Sequence, residues 1–490
     1  MSSLSILIVA SLLLFCFISV LVGIWRLRWA YAVALAGMAL ALVAAGTGFY
    51  RVLADGELRY FLGGWPPPFG IEYVLDHLSA FMVVIIVFIG LIAVIYPPEA
   101  GLYHTPRRGI SAYGLVLLLI AGLVGVVVTG DLFNLFVFLE IYSLASYALI
   151  TMGGDKAVVA SFRYLILGTI AGSFYLLGVG FIYFSTGTLN MADAARLLTP
   201  LYGSPTIMAA VALIVVGMGI KMALFPLHVW LPDAHSYAPP VVAAILAAIQ
   251  IEVAAYVIVR MMLTIFQPQY FIDIMPITTI IGWVAAAGII FGSVMAIAQK
   301  DFKRMLAYST VAQVAYIGLG IGLANQLGMI GALLHILNHA FMKSCLFLVA
   351  GGIRYQTGLH KISQFAGLGR KMPLMMSAFT VAALSMVGIP PTAGFFSKWY
   401  LVLGGIEANN WVFVAVILAS SLLTAVYFFR MIEKLFATPS GGDPAVEQAR
   451  EPSARILTPI IILAIGIIVL GLINALIVSY VLQPVVALLP

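Results

Sequence analysis

Charge is scarce in this sequence. Only 9% of its 490 residues are Asp, Glu, Lys or Arg against 63% hydrophobic, and mean hydropathy is +1.13, which excludes a soluble globular domain. Cysteine is scarcer still: Cys16 and Cys345 stand alone, far apart, each inside an apolar run. Their spacing gives no support for a zinc site, an iron–sulfur cluster or a disulfide framework. Long polar stretches are also missing. The largest, at 51–77, 353–373 and 433–455, are too short for a catalytic domain. The first carries Gly-Gly and a Pro triplet and predicts a turn or hairpin lid, and the last reads as a linker. The first apolar run has neither a basic start nor a small-residue cleavage site, so a retained helix is expected there.

What the chain does have is apolar length. Fourteen runs are long enough to cross a hydrocarbon core of roughly 30 Å: 3–24, 29–50, 78–97, 112–129, 132–152, 163–185, 205–224, 239–263, 273–298, 305–323, 327–350, 373–389 continuing to 405, 411–433 and 456–486. A barrel would show short alternating segments, so the expected fold is an all-α membrane bundle. Of the 24 Lys and Arg, seventeen fall in connections after odd-numbered helices and four (Arg51, Arg59, Arg196, Arg260) on the other face. By the positive-inside rule the seventeen face the cytoplasm and both termini lie outside.

Three lysines, Lys221, Lys343 and Lys398, are left inside spans, and Glu140 joins them. A charge at bilayer depth costs at least ~2.5 kcal/mol and normally faces a bundle interior or wet cavity used for ion or proton movement. Glu140 with a buried lysine would make a switch that protons load and unload; the bland alternative is a static ion pair that fixes packing. Pro226 follows Lys221 by five residues, and Pro390-Pro391 precede Lys398 by seven. Each proline should break its helix near mid-membrane and free carbonyls beside the lysine. Paired broken helices in two halves point to an inverted-repeat transporter with its ion site at the repeat interface.

His335, His339 and Lys343 recur at spacing four, one stripe about 12 Å long at 1.5 Å per residue and a possible relay, since imidazole both takes and gives protons near neutral pH. Acidic and Cys partners for a metal are missing. Glu252 shares a stripe with Arg260, so the bland reading is an ion pair between them. Asp233, His235, Asp301, Lys303 and Arg304 read as boundary anchors and topology signals. GLGIGLA at 318–324 has no strand before it and reads as helix packing through small residues. No cofactor, redox centre or nucleotide site is expected in this chain.

Several long motifs in order, GDLFNLFVFLEIYSLASYALI, GIKMALFPLHVWLPDAHSYAPP, the DFKRMLAYSTVAQVAYIG run, LLHILNHAFMKSCLFLVAGG and GIPPTAGFFSKWY, resemble the antiporter-like subunits shared by Mrp-type Na+/H+ antiporters, membrane-bound hydrogenases and respiratory complex I. The resemblance implies two inverted five-helix repeats, helices 4–8 and 9–13, with helices 7 and 12 broken, and segments 1–110, 111–265, 266–435 and 436–490. It implies Glu140 and Lys221 as the charged pair of the first half, His335, His339 and Lys343 as the connection, and Lys398 as the distal gate. With no lateral helix after the fourteenth span, the chain is most similar to the Mrp D-type component and its hydrogenase counterparts. It departs from the pattern at Glu252, where most relatives carry lysine.

The expected function is therefore translocation of H+, and in the Mrp reading also Na+, by a multi-pass subunit working with other membrane subunits in a prokaryotic cell membrane. The D-type component of a Mrp antiporter is the first reading, and a proton-pumping subunit of a hydrogenase or complex I-like redox assembly is the alternative. A stand-alone solute carrier would need a midplane cavity fitted to its solute. An inert scaffold has no reason to keep four costly charges.

Overall fold

The computed structural model describes residues 3–97, 106–439 and 443–489; linker residues 440–442 and the side chains of the topology signals Arg107 and Arg108 lie outside the described residues. Among these, twelve helices are long and apolar enough to cross a membrane, and two further crossings are broken in the middle. The crossings are α1 (Leu4–Gly23), α2 (Leu27–Asp55), α3 (His77–Ile95), α4 (Pro106–Val128), α5 (Leu132–Thr151) and α6 (Asp155–Thr186). Next come α7, in pieces α7a (Pro205–Lys221) and α7b (Leu231–Tyr237), and α8 (Pro240–Ile265). The second half has α9 (Ile277–Ala298), α10 (Phe302–Leu323), α11 (Gln326–Thr357), α12a (Pro373–Val387), α12b (Ala393–Glu407), α13 (Trp411–Phe436) and α14 (Ala454–Leu472). The fourteen predicted runs are these fourteen crossings. The predicted lid is a two-stranded antiparallel hairpin, β1 (Leu58–Phe61) with β2 (Glu72–Leu75).

The two repeats share their backbone devices. Asp131 caps α5 by accepting the Asn134 N–H at 2.7 Å, and Asp301 caps α10 by accepting the Arg304 N–H at 2.9 Å; a cap of this kind satisfies a helix-end donor that has no intrahelical partner. Behind each cap lies the same bridge. Leu132 N donates to Leu189 O and Met191 N to Gly130 O; in the second repeat Phe302 N donates to His360 O and Ile362 N to Lys300 O. Five crossings separate the two caps, an odd number, so the bridges lie on opposite faces and the repeats are inverted.

Burial separates centre from perimeter. The apolar windows of α8 and α11 are wholly buried, whereas those of α1, α2, α6, α13 and α14 are only 39% buried. One helix of each repeat thus forms a core withdrawn from lipid. Small residues allow close approach as the GLGIGLA reading expects: a Cβ on Gly322 would sit 2.3 Å from Gly282 Cα, so α9 and α10 meet backbone to backbone.

Candidate functional site

The site grows from the two breaks. Pro226 has no N–H, and α7a stops at Lys221. Within the membrane the carbonyls at a helix end need donors, and Ile220 O accepts both the Ala223 N–H at 3.1 Å and Trp230 Nε1 at 2.9 Å. The chain turns there with Ala223 at φ 57°. In α12 the last turn frees Met386 O and Val387 O, and Gly388 turns the chain at φ 93°. Lys398 reaches back from α12b and donates to those carbonyls at 2.8 and 3.1 Å, and to Ser421 Oγ at 3.2 Å. Both breaks were expected beside a lysine, but the lysines are not equivalent: Lys221 ends the piece before its break, and Lys398 lies in the piece after.

Lys221, 2% exposed, donates to Ser143 Oγ at 2.6 Å. Gly168 and Gly172, one turn apart on α6, leave room for the charges of this half. A Cβ on Gly168 would lie 3.5 Å from Lys221 Nζ and 1.9 Å from the Tyr147 hydroxyl, and one on Gly172 would lie 2.3 Å from Glu140 Oε1. Carboxylate and ammonium thus face glycines one helical turn apart on α6, and no direct bond joins them: Glu140 Oε1 is buried without a protein partner. Glu140 itself is half-buried, on the stripe of α5 that exposes Phe133, Val137 and Leu144.

From Lys221 a line of polar and aromatic side chains runs through the core. Its ammonium lies 6.0 Å from the Tyr147 ring centroid, and Tyr147 meets Tyr164 edge-on at 4.8 Å. The Tyr164 hydroxyl accepts from Gln250 Nε2. Gln250 ends a π-helical turn, Leu246–Gln250, a widening that often marks function. Two residues on, Glu252 Oε1 lies 2.7 Å from His339 Nδ1, both side chains fully buried. The His339 and His335 rings are 5.9 Å apart, and His335 Nδ1 lies 2.9 Å from Oγ of Ser397, the residue before Lys398. Lys343, one turn beyond His339, donates to Leu306 O at 2.9 Å and to Ser309 Oγ. Along this line Tyr147 Oη, Gln250 Oε1, Glu252 Oε2, His339 Nε2 and His335 Nε2 are buried with no protein partner.

The predicted residues therefore come together, with corrections. Glu252 does not pair with Arg260. Arg260 forks onto Asp76, the cap of α3, while Glu252 takes His339. Eight residues on a helix share a stripe but lie about 12 Å apart, and nearer partners on other elements win. His235 and Lys303, read as boundary residues, stand at helix ends but are buried, 0% and 7% exposed. Asp233 does act as an anchor, tying Arg163 to Arg304. Ser143, Ser309, Ser397 and Gln250 were not singled out by sequence. A visible signal existed for three: Ser143 lies one turn from Glu140, Ser397 is next to Lys398, and Gln250 is two residues from Glu252.

Comparison with known proteins agrees with this fold. The family model described as NADH:quinone oxidoreductase/Mrp antiporter, TM matches residues 129–424, more than half of the chain. The chain belongs to this family. Among its relatives, the N subunit of the NADH-quinone oxidoreductase of Desulforudis audaxviator is 53% identical over 461 residues, 91% of each chain. The D subunit of the Na(+)/H(+) antiporter of Alkalihalophilus pseudofirmus is 34% identical over 443 residues, 89% of this chain and 87% of that one. A chain of the membrane-bound sulfane sulfur reductase, an archaeal respiratory membrane complex, superposes with a TM-score of 0.90 at 30% identity, covering 98% of this chain and 96% of its own. The family's matched region contains every residue of the polar line from Glu140 to Lys398. Identity favours the redox-complex alternative over the Mrp D-type reading placed first.

Proposed function

We propose that the chain carries protons along the line from Glu140 and Lys221, through Gln250, Glu252, His339 and His335, to Lys398, as the antiporter-like subunit of a redox-driven membrane complex. The observation that carries this reading is the line of buried polar side chains from α7a to α12b, in two runs of contacts, Lys221 to Gln250 and Glu252 to Ser397, that lie on either side of the buried centre of both repeats. Each member can take or pass a proton or lies beside one that can, and the unpartnered polar atoms along it suit internal water, which buried polar groups require. Lys343 biases the His339 end through its charge one turn away. A proton arriving at one end changes the charge felt by the next group, so the two halves respond to each other.

The 53% identity to the N subunit of a NADH-quinone oxidoreductase supports redox drive. The 34% identity to the D subunit of an antiporter keeps Na+/H+ exchange as a second reading. Other membrane subunits are the expected partners; the apolar face around Glu140 suits one of them, since a carboxylate on a lipid-facing stripe is costly. The membrane is the prokaryotic cell membrane, and the basic face is cytoplasmic, with both termini outside.

The test is transport by the assembled complex in vesicles. Glu140→Ala and Lys221→Ala are expected to abolish proton-coupled transport with assembly unchanged, and Glu252→Gln to slow it at least tenfold. Transport at the wild-type rate in all three would overturn the proposal. Acidification driven by an electron donor and quinone identifies the redox reading; dependence on a Na+ gradient alone identifies the second.

A further inference from the structure

The basic end of the bundle holds a cavity of about 540 Å³ at the seam of the two repeats. Its wall includes Lys156 from the first turn of α6, Lys303 and Arg304 from the first turn of α10, and Arg354 from the last turn of α11, with Asp155 and Asp301 as the acidic side chains. Two of these charges are already committed. Asp301 caps α10, and Arg304 is bound to Asp233 at 2.9 Å. Among the described residues no carboxylate pairs with Lys156, Lys303 or Arg354 within ion-pair distance.

Lys303 is the decisive member. It is 7% exposed, yet its ammonium has one neutral acceptor, the Ala238 carbonyl. Topology signalling by positive charge needs no such burial; an ammonium taken out of water normally needs a counter-charge. The N-terminus of α10 adds a positive dipole end at the same wall. Basic pockets between spanning helices suit phosphate head groups, and this one has room for a phosphate together with its substituent.

We propose that this cavity is a binding site for a phosphate-bearing anion, held by Lys303 at its base with Lys156 and Arg354 at its mouth. The site is independent of the proton line and stands or falls without it. The phosphate is that of an anionic phospholipid head group or of a free small molecule, and the two sources are separable.

The full chain, purified in neutral detergent, is offered phosphatidylglycerol, phosphatidylcholine or inorganic phosphate. Adducts are read by native mass spectrometry and thermal shift against chloride at equal ionic strength. The double variant K156A/R354A removes only exposed side chains and leaves the fold intact; K303Q tests the base. At about fivefold per basic side chain, the double variant should bind about twenty-five-fold more weakly. Preferential retention of phosphatidylglycerol, lost in K156A/R354A, supports the lipid source. Stabilisation by inorganic phosphate alone, lost in the same variant, supports the free anion. Equal binding by wild type and both variants, or no binding by either, overturns the proposal.

Discussion

At the break in α7 the Ile220 carbonyl, which keeps the Ala223 N–H, takes a second donor from the neutral indole of Trp230, and Lys221 is left to Ser143; at the break in α12 the freed Met386 and Val387 carbonyls are taken by the ammonium of Lys398 itself. The inverted repeats thus share caps, bridges and interrupted helices but divide the work of the break differently. In the first half structure and charge rest on separate side chains. In the second one lysine does both, so moving its proton alters the bonds that close the helix end.

The largest effect expected from this difference separates Lys221→Met from Lys398→Met. Both should abolish transport. Their stabilities should part: Lys398→Met leaves two carbonyls and Ser421 without their charged donor and should cost about 3 kcal/mol or more, whereas Lys221→Met replaces one bond to a hydroxyl with a similar apolar volume and should cost about 1 kcal/mol or less. Thermal denaturation of the detergent-solubilised chain measures both, and equal losses would erase the distinction. Trp230→Phe makes the converse cut. It removes the indole donor from Ile220, whose carbonyl keeps the Ala223 N–H, and should cost about 1 kcal/mol, with transport at 25 °C kept because no charge is touched. Loss of transport in this variant, with the complex assembled, would mean that the first break also couples structure to charge.

Much of this was legible in the sequence, and the exceptions share one cause. Length, apolar runs and proline placement act along the chain, so the fourteen crossings and both breaks followed from composition and backbone chemistry. The stranded charges were visible because they violate that composition. Partner choice acts across the chain instead. Glu252 and His339 are 87 positions apart and Arg260 and Asp76 are 184 apart, so a stripe on one helix suggested the pair Glu252–Arg260, which packing then dissolved. The burial of His235 and Lys303 was hidden for the same reason: both stand beside helix ends in the sequence, and only the meeting of α7b with α10 and α11 encloses them.

The smallest expected effect tests the turns beneath the comparison. Gly388 bends the chain at φ 93°, where a Cβ would also meet the Lys398 stem at 3.1 Å; Ala223 bends it at φ 57° with its Cβ already in place. A side chain in the left-handed region costs about 1–2 kcal/mol, while glycine loses about 0.5–1 kcal/mol to its freer unfolded chain. Gly388→Ala should therefore lower stability by about 0.5–1 kcal/mol from the backbone alone, with a shifted Lys398 as a second penalty visible in transport. Ala223→Gly should raise stability by about 0.5 kcal/mol and leave transport unchanged, because the Trp230 bond holds that break without the lysine. If Ala223→Gly instead slows transport as much as Gly388→Ala, the first turn positions Lys221 as tightly as the second positions Lys398, and the two breaks would be mechanically alike despite their different donors.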